Sequence, residues 1–311
     1  MRHLPCLLVL WACAPSESSL RAQGSNPNPP TPETTIPPKR QVEHFTYRDP
    51  RFDMIFIGQY ASAELLADVG MLVDVLEVRG VDYHLGVVNM DHVPDIGGRL
   101  EVVDGERWAH RDMPDPADWL RRALQGLWSR SGAEAAMLAA AQALEESELG
   151  GANFGFLRED SEVAFLSYFA DGDVSPNLGL DVEAFIQLLL DVRPDPELLG
   201  WHTIGLDPGY GGHPYQPIFD AIGGIGWDYT NTPYAPMYMA IAGTVEVTRA
   251  FELDGRPVPE SLWVHVLQPD GGEVDLQGAA VIYDTTTNTV ELDFPLQDGA
   301  AVQVSYDVLE P

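Results

Sequence analysis

The residues of this chain whose types and spacing could do chemistry fall in three places. The turn Asp171-Gly172-Asp173, with Ser175 two residues on, and the hydroxyl of Ser62 offer the carboxylate and hydroxyl oxygens that a hard divalent cation takes. Carboxylates hold such an ion only where several converge on one point, and a lone Asp-Gly-Asp turn is more often a solvated loop. Among the 8 histidines, His110, His202 and His213 fall in loops or near strand ends, but no ligand spacing links them. No Gly-x-Ser-x-Gly or His-Glu-x-x-His motif occurs, so catalysis is unsupported rather than excluded. The glycine-rich stretch Pro208 to Pro214 contains GYGGHP. It lacks the lysine and spacing of a phosphate-binding loop and reads as a turn.

The element that must position Ser62 runs from Phe52 to Leu66, FDMIFIGQYASAELL. Met54, Ile55, Phe56 and Ile57 carry no polar alternation, which predicts a central parallel strand buried on both faces. Gly58 ends it. From Ser62, a candidate N-cap, Leu65, Leu66, Val69, Leu72, Val73 and Leu76 recur at helical spacing. Ligands of open parallel sheets bind beyond the carboxyl ends of the strands, so a site would sit at the turn from Gly58 through Tyr60 to Ser62.

Further strands are predicted over Val81 to Met90, Val163 to Phe169 and Trp201 to Leu206. His84, on the first of these, reads as a satisfied sheet histidine. Residues 91–118 read as a loop containing a hairpin near Asp104-Gly105. Helices are expected over Trp119 to Glu146, with a break at Ser129 to Gly132, over Asp181 to Leu190, and over Pro217 to Gly224 and Pro236 to Val247. This alternation argues an α/β fold, a doubly wound, Rossmann-like, mostly parallel sheet flanked by helices. From residue 249 the period switches to two. Four or five short antiparallel strands are expected to make a small C-terminal β-module over 249–311, with Trp263 and Tyr283 as core aromatics.

The chain has 311 residues, 45% of them hydrophobic, enough for one large or two ordinary domains. Lys plus Arg number 17 against 48 Asp plus Glu, a formal charge of −31 that repels nucleic acid and anionic lipid. At the start, MRHLPCLLVLWACAPSE has the positive beginning and short apolar run of a signal peptide. Leu10-Trp11-Ala12-Cys13 resembles a bacterial lipobox, although Trp11 is bulkier than usual there. Cys13 would then be lipidated, 1–13 removed or modified, and the protein exported and anchored to a membrane of the cell envelope. Residues 14–40 are rich in Pro, Ser and Asn and read as a spacer. Both cysteines, Cys6 and Cys13, precede that spacer, which leaves the folded part without a disulfide or a thiol nucleophile.

Three pieces of the chain resemble von Willebrand factor type A domains found in envelope lipoproteins of myxobacteria and related bacteria: FDMIFIGQYASAELL, YHLGVVNMD and NFGFLREDSEVAFLSYFADGDVS. The NFGFLRED match is the most specific, and the resemblance covers roughly residues 41–248. It implies a metal-ion-dependent adhesion site for Mg²⁺ or Mn²⁺, built from Asp-x-Ser-x-Ser, a Thr and an Asp on three loops. The first loop here is Gly58-x-Tyr60-x-Ser62, so one of its three ligands survives. Ser129 or Ser131 stands nearest the second, and the third aspartate falls near Tyr168 or Asp171. The resemblance therefore implies a degenerate site without a resident cofactor, with Ser62, Asp171 and Asp173 as its weak cation candidates. The function expected is an envelope-tethered, non-enzymatic adhesion or scaffold module that binds a protein partner through its strand-end face. Its alternatives are a purely structural envelope protein and a metal-dependent adhesion domain with a rearranged site.

Overall fold

Apolar residues at four successive positions leave a strand no face to present to water, and the strand containing Met54 to Ile57 is buried along its length from Phe52 to Gly58. The structure, a computed structural model, describes residues 38–90, 97–127, 134–168, 173–205, 215–228, 230, 233–245 and 250–308. The proposed signal peptide, Cys13 and the spacer up to residue 37 lie outside the described residues.

In chain order β1 (Lys39–Thr46) and β2 (Arg51–Gly58) precede helices α1 (Ala63–Asp68) and α2 (Gly70–Val78), then β3 (Asp82–Asn89) and β4 (Trp108–His110). Helices α3 (Pro116–Gln125) and α4 (Ala136–Glu146) lead to β5 (Glu162–Tyr168), α5 (Val182–Val192), β6 (Leu199–Gly205), α6 (Gln216–Ile222), β7 (Gly226–Asp228) and α7 (Ala235–Thr244). The tail is β8 (Ala250–Glu252), β9 (Trp263–Leu267), β10 (Glu273–Leu276), β11 (Val281–Asp284), β12 (Thr289–Leu292) and β13 (Ala301–Val308).

The main sheet has the order β4-β3-β2-β5-β6-β7, parallel except for β4. From β2 the chain winds outward one way to β3 and β4, then returns and winds the other way through β5, β6 and β7. The switch point therefore lies between β2 and β5. Met54 and Phe56 of β2 face a core closed by α1, α2, α3 and α7, whereas Ile55 and Ile57 face one closed by α4, α5 and α6. A fully buried side chain of this size stabilises by about 1.5–3 kcal/mol, so β2 is held from both sides. The expected α/β class with its separate antiparallel module is what the structure has.

Local chemistry explains the helix starts. Ser62 Oγ accepts the Leu65 amide at 3.1 Å, Asp115 the Asp118 amide at 2.9 Å with Pro116 following, and Asp181 the Ala184 amide at 2.8 Å. The first helix is divided at Val69-Gly70 instead of running unbroken. In the loop expected to hold a hairpin, Val103 and Glu106 do exchange backbone bonds. The sequence pattern missed β4, a three-residue edge strand too short to show alternation.

The NFGFLRED segment fastens the amino edge of the sheet. Asp53, fully buried near the start of β2, accepts from Arg158 Nη2 at 2.6 Å, Nε at 2.9 Å and its amide at 2.7 Å, and from Ser161 Oγ at 2.6 Å. Arg158 Nη1 also meets Asp82 Oδ2 at 2.5 Å. Arg193, from the end of α5, donates to the Arg158 and Ser161 carbonyls. Asn153, also buried, accepts from the Leu100 amide and donates to the Gly98 carbonyl. His84 shares a 2.7 Å hydrogen bond with the Phe156 carbonyl and packs against the Trp108 and Phe156 rings, the satisfied sheet histidine expected.

The tail makes more strands than expected, six instead of four or five, because β8 and β10 to β12 have only three or four residues each. They form a four-stranded sheet, β1-β13-β9-β10, and a three-stranded sheet, β11-β12-β8, around a shared core that includes Val264, Val290, Val302 and Val304. Residues 41–46, which sequence pattern places in the α/β region, pair antiparallel with β13 from Lys39↔Val308 to Thr46↔Ala301. The chain thus contributes its first strand to the β-module and then enters the α/β layer. Trp263 is not a core residue: Val264 and Val266 face inward, and Trp263, on the other face, stacks on His265 at 5.8 Å. Tyr283 does pack against the module core.

Candidate functional site

The switch point brings the carboxyl ends of β2 and β5 side by side, with Gly58 paired to Tyr168 on one side and Asn89 on the other. Gly58 carries no side-chain oxygen, and the space above it is tight. A Cβ there would lie 3.2 Å from Leu127 Cδ1, 3.6 Å from the Tyr60 carbonyl and 3.8 Å from the Tyr168 carbonyl. A carboxylate at this position would have to displace Leu127.

Hydroxyls occupy the site instead. Ser62 follows the turn, and its Oγ is committed to capping α1. Tyr168 stands among Ser62, Tyr60 and Tyr234, whose side chains pull its pKa back against the larger rise from burial, and the Tyr60 and Tyr168 rings meet edge to face at 5.3 Å. Tyr234 reaches the group because Asp68, at the end of α1, accepts the Tyr234 and Ala235 amides at 2.6 and 3.2 Å and so caps α7. Burial raises Tyr168 above the usual phenol range and pushes Tyr234 up to about 12, with Tyr168 and Glu64 adding to the Tyr234 shift. At neutral pH both phenols are protonated and uncharged. Tyr234 is buried, Tyr168 is half-buried, and Tyr60 is 43% exposed.

Asp173 lies elsewhere on this end of the molecule. Its Oδ2 accepts from the Met137 amide at 3.0 Å and the Tyr215 hydroxyl at 2.7 Å, and its Oδ1 from the Ser175 amide at 2.7 Å. Ser175 Oγ accepts the Leu138 amide at 3.0 Å. Asp173 and Ser175 thus close the amino end of α4, where Ala135 makes no side-chain cap of its own. Burial and the Asp173 carboxylate hold the Tyr215 phenol well above its usual range. Ser129, Ser131, Asp171, Phe169, His213 and the glycine-rich loop 208–214 lie outside the described residues.

The structure therefore brings Gly58, Tyr60 and Ser62 together with Tyr168 and directs Asp173 to α4. No group of three or more His, Cys, Asp or Glu side chains suited to a metal ion occurs among the described residues. With Ser129, Ser131 and Asp171 outside the described residues, this face is represented by the hydroxyls of Ser62, Tyr60, Tyr168 and Tyr234. What they can do is hydrogen-bond a partner through phenol and serine hydroxyls around an exposed aromatic ring. Sequence reading missed Tyr234, which the long-range Asp68 cap brings to the turn, and Tyr215, which hydrogen-bonds Asp173 at the amino end of α4. It also placed His202 near a strand end, whereas this residue is buried within β6, with no hydrogen-bond partner for either ring nitrogen among the described residues.

No helix among the described residues is long and apolar enough to cross a membrane. No family model matches the chain and no curated protein matches it. Solved structures with weak similarity include the pilus adhesin SpaC from Lactobacillus rhamnosus GG in its open conformation, with 8% identity and a TM-score of 0.40, covering 86% of this chain and 42% of that one. Proximal thread matrix protein 1 from the mussel byssus matches at 9% identity and TM-score 0.37 over 68% of this chain and 52% of its own. Manganese-loaded Plasmodium vivax TRAP protein matches at 10% and 0.35 over 78% and 98%. The chain thus spans about two fifths of the adhesin and about half of the byssus protein. At these scores the likenesses are weak, and no property of this chain follows from them.

Proposed function

We propose that this protein is a non-enzymatic binding module of the von Willebrand factor type A kind, tethered to the cell envelope through Cys13, which engages a protein partner at the carboxyl end of its parallel sheet without a bridging metal ion. The observation that carries this reading is Tyr60. Its ring is 43% exposed at the switch point, yet it is braced edge to face by Tyr168 within a hydroxyl cluster. An aromatic side chain already held in place loses little conformational freedom on binding, and tyrosine is among the residues that dominate protein interfaces. Gly58 replaces the first aspartate of the metal loop that the sequence resembles, and the Asp173 carboxylate already accepts three hydrogen bonds.

The test compares wild type with Tyr60→Ala for capture of partners from the envelope fraction, with melting followed in parallel and EDTA present throughout. Partners retained by wild type and lost by Tyr60→Ala, at a melting temperature no more than a few degrees lower, support the reading. A variant that melts lower and captures the same partners would make Tyr60 a packing residue and the protein structural. Membrane attachment is tested separately by Cys13→Ala, which should move the protein to the soluble fraction.

A further inference from the structure

Helices α4 and α5 each precede a strand of the parallel sheet, so they run back side by side and end together near the amino ends of β5 and β6. Between them lies an open groove of about 670 Å³. Its walls are the half-buried side chains of Leu138, Ala141, Leu157, Leu180, Leu188 and Val192. Leu149, 87% exposed, follows at the end of α4. An apolar groove left open between two helices has the shape that receives the apolar face of a third.

One end of the groove is acidic. Glu145 and Glu148, both exposed, line it and have no cationic partner among the described residues, and Asp191, across on α5, accepts only from the Gln187 amide at 2.8 Å. Arg99 and Arg193, near this end, are engaged: Arg99 meets Glu146 at 3.7 Å, and Arg193 donates to the Val192, Ser161 and Arg158 carbonyls. Of the undescribed stretches that adjoin α4 or the residues touching it, 91–96 and 169–172 contain no lysine or arginine, and Arg130 in 128–133 precedes the opposite end of α4. Neither helix has a basic residue in its last turn, where the helix dipole favours a cation, and carboxylates stand there instead. Such a local departure is expected where function requires it, and here the missing positive charge can come from outside the chain. We propose that this groove receives a basic amphipathic helix of a partner protein, its apolar side chains entering between Leu138, Leu180 and Leu188 and its lysines or arginines meeting Glu145, Glu148 and Asp191. The surface lies on the flank of the sheet, apart from the Tyr60 turn, and does not depend on the reading of that turn.

The experiment titrates the full chain with an amidated leucine–lysine peptide of about 14 residues, its leucines repeating at helical spacing, in about 0.15 M salt, following heat and the leucine methyl resonances. Saturable one-site heat with shifts at Leu138, Leu180 and Leu188 is expected, and a peptide of the same composition with its leucines evenly scattered should bind at least about tenfold more weakly. Glu145→Gln with Glu148→Gln should weaken binding about tenfold, whereas the same loss of charge on the β-module, Glu252→Gln with Glu291→Gln, should change it less than about twofold. Ala141→Lys, which projects a long cationic side chain into the groove, should abolish binding, and Tyr60→Ala should leave it unchanged. A chain of charge −31 attracts basic peptides everywhere. Equal binding of the scattered peptide, or equal weakening by the two glutamine pairs, would therefore mean diffuse attraction and overturn the proposal, as would no saturable heat or a loss in Tyr60→Ala. Should Ala141→Lys fail to fold, the glutamine pairs, all at exposed positions, decide.

Discussion

The two edges of the parallel sheet are built from opposite chemistry. At the amino edge Asp53, Arg158, Asp82, Arg51 and Asp160 form one chain of ion pairs, with Asp53 and most of Arg158 withdrawn from water. At the carboxyl edge, around the switch point, uncharged hydroxyls of Ser62, Tyr60, Tyr168 and Tyr234 stand together and one ring faces solvent. A network whose charges are all committed holds strands in register and has nothing left for a partner. A neutral cluster with an exposed ring stabilises the fold little, and its surface remains available. The sheet is thus anchored at one edge and presented at the other.

The largest expected effect tests the anchored edge. Arg158→Ala leaves the buried Asp53 carboxylate without its counter-ion and should cost about 3–5 kcal/mol, the range for removing one partner of a buried pair. Denaturant titration of the two proteins measures it. A loss below about 1 kcal/mol, the level of a surface pair, would show that Asp53 is held by Ser161 and the Arg158 amide alone.

Acidification is the next lever, through two histidines of the sheet, His202 buried and His84 half-buried. Burial lowers His202 from 6.5 to about 4, and burial with the nearby Arg158 charge lowers His84 in the same direction. Between those values the unfolded chain binds protons that the folded chain excludes. Stability is therefore complete above about pH 6.5 and falls as pH drops toward 4. For His202 alone the loss reaches at most about 3 kcal/mol, at about 1.36 kcal/mol per unit. Urea midpoints at pH 7 and pH 5 should differ more for wild type than for His202→Leu. Equal differences would mean that His202 has a partner in solution.

Asp173 separates the two interpretations of the DGD turn. As the cap of α4 and acceptor of the Tyr215 hydroxyl, its change to Ala should cost about 1–3 kcal/mol with or without divalent ions. Calorimetric titration of EDTA-treated wild type with Mg²⁺ and Mn²⁺ should show no saturable one-site heat. An ion-dependent melting shift that vanishes in Asp173→Ala would restore the metal-bridged reading.

Much of this contrast was legible in the sequence, unequally at the two edges. Uninterrupted Met54 to Ile57 and the helical spacing after Ser62 specified the central strand, its turn and the place where a site would lie, because burial on two faces and periodicity are local signals. The pairing of Asp53 with Arg158 was not readable, since an aspartate at the head of an apolar run looks the same paired or solvated until its partner, far along the chain, is placed. The same limit hid Tyr234, brought in by Asp68, and the pairing of β1 with β13, which joins opposite ends of the described chain.

Tyr60→Ala is the smallest expected effect and sharpens the comparison most. The ring is 43% exposed and its main ring contact is the edge of Tyr168, so truncation should cost about 0.5–1.5 kcal/mol, the worth of one aromatic pair. Tyr168→Phe keeps that ring contact and removes the hydroxyl that stands among Ser62, Tyr60 and Tyr234, at a net cost below about 1 kcal/mol. If the hydroxyl cluster merely packed the end of the sheet, both variants would melt lower and release a partner at the wild-type rate, and their losses, being those of touching rings, would not add in the double variant. If Tyr168 serves to hold the Tyr60 ring for a partner, Tyr168→Phe leaves melting nearly unchanged and accelerates partner dissociation, because a ring less firmly placed loses more freedom when bound. Dissociation rates measured on immobilised wild type, Tyr168→Phe and Tyr60→Ala therefore separate support from presentation. Indistinguishable rates across the three would move the binding face away from the switch point.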